Sequence, residues 1–331
     1  MDTGIGLIPI MQNQGWAFPL MKLASFLGSL VFFILVMPLF YWCWDARLGF
    51  RVGLILILSQ GLNSALKIAF HSPRPYWISQ EVIPYVRGSS FGMPNGSSFG
   101  MPSGHAQDAV CVWGLIASYI QRPWAWAMAL GMILLIGISR IYLGVHFPGD
   151  VIVGWAVGAL ILAAFLITEP FVSQRLKKLN LKQQILASFL ASLGLIGLYS
   201  VSWAAMDGWQ MPAAWAANAL ASTGESIKPL NPNEAFEAAG MLFGIATGYA
   251  LLLSKGGFKA DGSAVIRLTR YVVGSVCLIA IWFGLGVIHL EMPVGYVVAY
   301  MRSMLSGAWV AGGAPLLFIR LKLAERDNDL L

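Results

Sequence analysis

The sequence predicts an all-α, polytopic helical membrane protein with about nine transmembrane helices. Two observations carry that expectation. Of the 331 residues, 58% are hydrophobic and only 11% are Asp, Glu, Lys or Arg. A soluble globular chain carries roughly a quarter of its residues as charges, so this one has too few to cover a water-facing surface. The mean hydropathy of +0.71 is gathered in apolar runs of about the length that crosses a bilayer. The same composition excludes disordered, collagen-like and nucleic-acid-binding chains.

The elements follow in order. Residues 1–23 are expected as an N-terminal interfacial segment. They lack the basic start and small-residue cleavage site of a signal peptide, and Pro9, Pro19 and Gln12-Asn13-Gln14 interrupt the apolar pattern. Spans are expected at 24–44, 50–70, 104–121, 124–142, 150–168, 185–205, 235–254, 271–289 and 295–319. Trp16, Trp42, Trp44, Trp77, Trp124, Trp126, Trp203 and Trp209 fall near run ends, as in an interfacial aromatic belt. Between the second and third spans, 71–103 is a polar loop in which GSSFGMPN (88–95) recurs as GSSFGMPS (96–103). It reads as a local duplication in a Gly/Ser-rich surface loop. Cys43, Cys111 and Cys277 lie in apolar runs and are odd in number, so they read as small hydrophobes. Arg302, inside the last run, is expected to pair with a backbone carbonyl or Glu291. The domain division is 1–23, a catalytic core at 24–170, and C-terminal helices at 171–331 whose role the residues do not reveal.

Lysine and arginine set the orientation. One alternate set of loops holds 14 of the 21 basic residues; the other side holds Lys22, Lys67, Arg74, Arg87, Arg140 and Lys228. The first set faces the cytoplasm, which puts the N-terminus outside and the C-terminus inside. The net charge of +6 is then a topology signal and needs no nucleic-acid partner.

Polar residues gather at the outer helix ends. Lys67 precedes Arg74-Pro75 by the spacing K-x6-R-P, Pro102-Ser103-Gly104-His105 opens the third span, and Ser139-Arg140 is followed by His146 and Asp150. Charges at membrane depth are functional by default. Chemically this is a site for a phosphate. Lys67, Arg74 and Arg140 are cations that can surround its oxygens. Ser103 and Gly104 stand at a helix start, where backbone N–H groups favour an anion. With Asp150 at i+4, a helical His146 has its Nδ1 proton accepted and its Nε2 left free, which describes an oriented nucleophile. His105 can protonate the leaving oxygen and later deprotonate water. No His/Asp/Glu cluster has metal-ligand spacing, so neither a metal nor another cofactor is expected. Asp108 either orients His105 or caps its helix, His71 reads as a loop residue, and Trp77 as an aromatic anchor.

K-x6-RP, PSGH and SR-x5-H-x3-D, in this order, resemble the three signature motifs of the type 2 phosphatidic acid phosphatase (PAP2) superfamily, matching eleven fixed residues over 67–150. The resemblance implies a PAP2-type helical core and a metal-independent reaction through a phosphohistidine. His146 is then the nucleophile, Asp150 its orienter and His105 the acid/base, while Lys67, Arg74, Ser103, Gly104 and Arg140 hold the phosphoryl group. LNSALK (62–67), RPYW (74–77), PSGHA (102–106) and SRIYLGVHFP (139–148) look like glucose-6-phosphatase, and the sphingosine-phosphate phosphatases are similar too. The third motif ends in Gly149-Asp150, as in general lipid phosphatases.

The expected function is an integral membrane phosphatase of lipid phosphate monoesters or diphosphates, with its site on the periplasmic, extracellular or lumenal side. The alternatives are a phosphatase of a soluble sugar phosphate, a transporter, and vanadate-dependent peroxidase chemistry. The last belongs to soluble enzymes, and the broken helices and repeat symmetry of transporters are not visible. The expected partners are a phosphorylated lipid or small phosphorylated substrate and the membrane lipids.

Overall fold

The computed structural model describes residues 4–85, 97–287, 290–291 and 293–327, with the backbone alone at Leu30. All regular structure among the described residues is helical. In chain order the elements are α1 (Leu7–Gln12), a 3-10 turn (Gly15–Ala17), α2 (Phe18–Leu27), α3 (Leu30–Cys43), α4 (Ala46–Phe70), α5 (Pro75–Ile78), α6 (Gly104–Ile120), α7 (Pro123–Tyr142), α8 (Pro148–Lys177), α9 (Leu181–Ala204), α10 (Ala213–Thr223), α11 (Asn233–Ser254), α12 (Ala264–Gly286), α13 (Val294–Ala308), a π turn (Trp309–Gly313) and α14 (Ala314–Arg320).

Among the described residues, each of the nine apolar runs is mostly helical. Six stretches, 46–78, 123–142, 148–177, 181–204, 233–254 and 264–286, are long and apolar enough to cross a membrane. A seventh is reached if Gly15–Leu27 and Val31–Cys43, bent by 53°, count as one span. By this measure the count falls short of nine. The reasons are local: α6 has 17 residues and carries Gln107 and Asp108, and the last run breaks into α13, the π turn and α14.

The chain forms two compact units. The first comprises Met1–Phe33, Leu62–Ala163 and Tyr199–Asn231 and contains every predicted site residue. Within it the N-terminal helices pack on the scaffold of the site. The Gln12 amide nitrogen donates to Ile83 O (2.7 Å) and Tyr142 O (3.1 Å), and Ile8, Val82 and Phe147 close a small apolar core.

The second unit comprises Ile34–Gly61, Ala164–Leu198 and Pro232–Leu331. Its centre is the approach of α11 to α13, along Gly240, Gly244 and Gly248. A β-carbon at these positions would lie 2.2 Å from Tyr300 O, 2.0 Å from Met304 O and 2.8 Å from Ala308 O. Small residues four apart let two helix backbones meet where lipid supplies no hydrophobic drive. Trp42 lies in this core, fully buried and donating to Val310 O (3.0 Å). It is therefore not a belt residue, whereas Trp16, Trp44, Trp124 and Trp126 are exposed as a belt requires. Arg302 also departs from expectation. It donates to Glu237 Oε1 at 2.5 Å, and its guanidinium stacks 4.2 Å from the Trp282 ring centroid. Glu237, rather than Glu291, is its partner because α11 and α13 pack side by side.

Candidate active site

The site is assembled from helix ends and the loops that connect them, all in the first unit. Lys67 occupies the last turn of α4, Arg74 directly precedes α5, Ser103 caps α6, Arg140 sits in the last turn of α7, and Asp150 in the first turn of α8. Proline explains two of the starts. Pro75 and Pro148 begin α5 and α8, where a missing N–H costs nothing.

Arg74 and Arg140 are buried, as are Ser103, His146 and Asp150, while His105 is half-buried. Two buried guanidinium groups in an apolar chain require acceptors. Arg74 donates from Nε to Ser98 O (2.7 Å) and from Nη1 to Val145 O (3.1 Å). Lys67 Nζ donates to Ser98 Oγ (2.9 Å), and Arg140 Nη1 donates to Ser25 Oγ. Ser98 thus holds two of the three cations, one with each kind of oxygen it owns. The downstream copy of the sequence repeat is therefore not a surface loop. Phe99 and Gly100 are buried within it, and Gly100 N–H donates to Ser72 O (2.9 Å). The upstream copy (88–95), with Asn95, and the preceding Arg87 lie outside the described residues.

His146 lies in the turn between α7 and α8 rather than on a helix, yet the predicted pairing geometry is approached. Its Nδ1 stands 3.5 Å from Asp150 Oδ2. That separation is an ion-pair contact and too long for a made hydrogen bond, and Nδ1 has no hydrogen-bond partner among the described residues. Asp150 Oδ2 meanwhile accepts from the Phe147 N–H (2.9 Å), which caps the start of α8. Gly100 gives the carboxylate its room, since a β-carbon there would lie 3.0 Å from Asp150 Oδ2 and 2.8 Å from Pro73 O. Burial pushes the His146 pKa well below the ordinary 6.5, helped by Arg74, Arg140, Lys67 and His105 in that order. The four groups that the sequence places around the phosphate therefore lie within electrostatic reach of this one imidazole. Both effects favour the neutral imidazole, the form that keeps one ring nitrogen's lone pair available.

Ser103 and Gly104 fall at a helix start as expected. The Ser103 N–H, however, is spent on Asp150 O (3.0 Å), a bond that ties α6 to α8. Gln107 N–H makes the first intrahelical bond, to Ser103 O (3.0 Å), so the amides of Gly104, His105 and Ala106 have no helical partner. The buried Ser103 Oγ and Arg140 Nε have no hydrogen-bond partner among the described residues. Such groups are costly unless something polar meets them. Asn63 supports this corner from α4, donating to Gln107 Oε1 (2.9 Å) and Pro102 O (3.3 Å). Asp108 is buried one turn after His105.

Four residues escape sequence reasoning. Ser98 and Ser25 carry no signal beyond a polar side chain in an apolar or Gly/Ser-rich context, and Asn63 falls in the LNSALK stretch without a role of its own being legible there. The fourth is Trp77, which is fully buried rather than anchored at an interface. Its ring stands 6.2 Å from Phe99 and 6.0 Å from Trp215, and its carbonyl accepts from Asn218 Nδ2 (3.0 Å).

The arrangement can grip a tetrahedral anion, attack its central atom from a neutral imidazole, and exchange a proton through a second imidazole. Comparison with known proteins agrees in kind. The profile of the PAP2 superfamily matches residues 48–172, and that of the PAP2 superfamily phosphatase transmembrane extension matches 236–326. The chain is 26% identical to lipid phosphate phosphatase delta of Arabidopsis thaliana, over 52% of this chain and 42% of that one. It is 27% identical to phosphatidylglycerophosphatase B of Bacillus subtilis, over 55% of this chain and 87% of the other. With sphingosine-1-phosphate phosphatase 1 of Mus musculus it shares 28% identity, over 43% and 33% respectively. The chain thus matches less than half the length of the plant and mouse relatives and most of the bacterial one.

Proposed function

We propose that this chain, an integral membrane protein carrying a PAP2 superfamily domain and a PAP2 transmembrane extension, hydrolyses phosphorylated lipids through a phosphohistidine at His146. The observation that carries the reading is that His146 is buried with Arg74, Arg140 and Asp150: Arg74 donates to the carbonyl of the adjoining Val145 (3.1 Å), and Asp150 Oδ2 stands 3.5 Å from the His146 Nδ1. His146 Nε2 attacks phosphorus while the bond to the leaving oxygen breaks, and His105 gives that oxygen its proton. Water then attacks the phosphohistidine, His105 takes the water's proton, and inorganic phosphate leaves. Asp150, 3.5 Å from Nδ1, balances the positive charge that the imidazole gains. Lys67, Arg74 and Arg140, with the first-turn amides of α6, hold the phosphoryl oxygens. The catalytic machinery is confined to 24–170, supported by the N-terminal segment.

Two features favour a lipid over a sugar phosphate. Every phosphate-holding residue stands at or beside a helix end, at the depth where a lipid headgroup already partitions. The polar residues of the 207–233 stretch that could read a sugar are partly engaged elsewhere. Asn218 donates to Trp77 O and accepts from Gln80 Nε2 (3.2 Å), and Asn233 donates to Glu237 Oε1 (3.0 Å). The relatives named for lipid phosphates agree with this choice. The distribution of Lys and Arg argues that the site faces the non-cytoplasmic side, with the N-terminus outside and the C-terminus in the cytoplasm.

A phosphate-release panel on the purified chain tests the reading. A short-chain phosphatidic acid or an isoprenyl diphosphate is expected to exceed glucose 6-phosphate by at least ~10-fold in kcat/KM, about 1.4 kcal/mol of transition-state binding. Equal or better turnover of the sugar phosphate sinks the lipid assignment. Cysteines at 175–182 and 256–268 should label from the cytoplasmic side and those at 207–233 from the other; the reverse pattern overturns the orientation.

A further inference from the structure

The stretch between the two family matches, 173–235, contributes an aromatic residue that sits on both loops of the phosphate clamp. We propose that Trp209, buttressed by Trp215, is a positioning residue that sets Ser98 and, through it, the Lys67 and Arg74 cations. The proposal rests on the reading of the site as a phosphoryl-binding pocket.

The geometry is a chain of contacts within one unit. The Trp209 ring lies edge-on to His71 (5.9 Å between centroids) and to Phe99 (5.6 Å). His71 belongs to the loop between Lys67 and Arg74, in a left-handed conformation with φ +36°, and its N–H donates to Lys67 O (2.9 Å). Phe99 is fully buried and adjoins Ser98, whose Oγ accepts from Lys67 and whose carbonyl accepts from Arg74 Nε. Gly100 N–H donates to Ser72 O, so the two loops are also joined directly. Trp209 therefore straddles both loops beside Ser98, where Lys67 and Arg74 are held. Behind it Trp215 meets Trp209 (6.2 Å) and Trp77 (6.0 Å), and Asn218 fixes the middle of α10 to the Trp77 carbonyl. Edge-to-face ring pairs at these separations have a defined orientation as well as buried area. Removing the Trp209 ring leaves Phe99 without one of its walls and lets Ser98 move. A hydrogen-bonded ammonium and guanidinium move with it.

The test uses the full chain in detergent and orthovanadate as the probe, because vanadate binding reports the clamp whatever the natural substrate is. Trp209→Ala is expected to weaken vanadate inhibition and vanadate-dependent thermal stabilisation by about 10-fold, and Trp209→Phe to stay within about 3-fold of wild type. Ser98→Ala should also weaken binding. Because both residues act through one loop, Trp209→Ala in the Ser98→Ala background should add less than about 2-fold. A merely structural tryptophan would lower stability and leave the two effects multiplicative. Trp209→Leu, which keeps apolar bulk, carries the same comparison where the alanine variant does not fold. Unchanged vanadate affinity in Trp209→Ala, or full multiplicativity with Ser98→Ala, overturns the proposal. A wild-type chain that binds vanadate but hydrolyses no lipid phosphate overturns the proposed function alone. One that binds no vanadate overturns both.

Discussion

Replacing Asp150 by Asn separates the role of its charge from its role in the fold. The amide keeps an oxygen that can accept from Phe147 N–H, so the cap on α8 survives. What is lost is a carboxylate 3.5 Å from Nδ1 of His146. When Nε2 takes the phosphoryl group, the imidazole becomes cationic. At an effective dielectric of about 20, two unit charges at this separation interact by roughly 4–5 kcal/mol. Taken as ~4 kcal/mol of transition-state stabilisation, that is a loss of about 10³-fold in kcat. The Michaelis constant should stay within about 3-fold, because Asp150 faces the nucleophile and not the phosphate oxygens. Initial rates of phosphate release from a short-chain phosphatidic acid measure both quantities. A loss below about 10-fold in kcat, or one carried mainly by KM, refutes the orienting role.

Gly100→Ala should cost about 1–3 kcal/mol of stability, since its β-carbon would meet Pro73 O at 2.8 Å and Asp150 Oδ2 at 3.0 Å; thermal melts check this. His146 is held neutral by burial and by neighbouring cations, so below the unfolded imidazole's ~6.5 the unfolded state binds more protons and stability falls with pH. Melts between pH 7.5 and 5 should therefore be shallower in His146→Gln than in wild type, and identical slopes would contradict the burial argument. Activity should survive EDTA, because Lys67, Arg74 and Arg140 supply the positive charge a metal would bring; loss restored by a divalent ion would contradict this. Glu237→Ala leaves Arg302 without its carboxylate at 2.5 Å and should cost about 2–3 kcal/mol of stability while vanadate affinity stays at wild-type level.

The helical class and the site constellation were legible because each rests on local rules. Apolar runs report spans whatever packs against them, and Lys67, His105, Arg140, His146 and Asp150 stand at fixed spacings near helix ends. Ser98 and Ser25 were not legible, because a serine becomes an acceptor for a buried cation only when distant segments meet. Trp42 and Trp77 misled for a related reason. Position near a run end marks a belt residue only if the ring faces lipid, and here partner segments cover both rings. The Gly240, Gly244, Gly248 spacing was readable in principle as a helix-packing face. The bend between α2 and α3 falls at Leu27-Gly28-Ser29, a turn inside a run that apolar content alone reads as one span.

The central claim is that phosphate passes through His146 of this chain, and trapping it is the most direct test. Purified protein is mixed with a short-chain lipid phosphate labelled in its phosphoryl group, quenched in alkali within milliseconds, and digested for peptide mapping. The account predicts label on the peptide containing His146, stable in base and labile in acid, and absent from His146→Ala, whose turnover falls by at least ~10³-fold. Label on another residue, or turnover by His146→Ala at the wild-type rate, contradicts it.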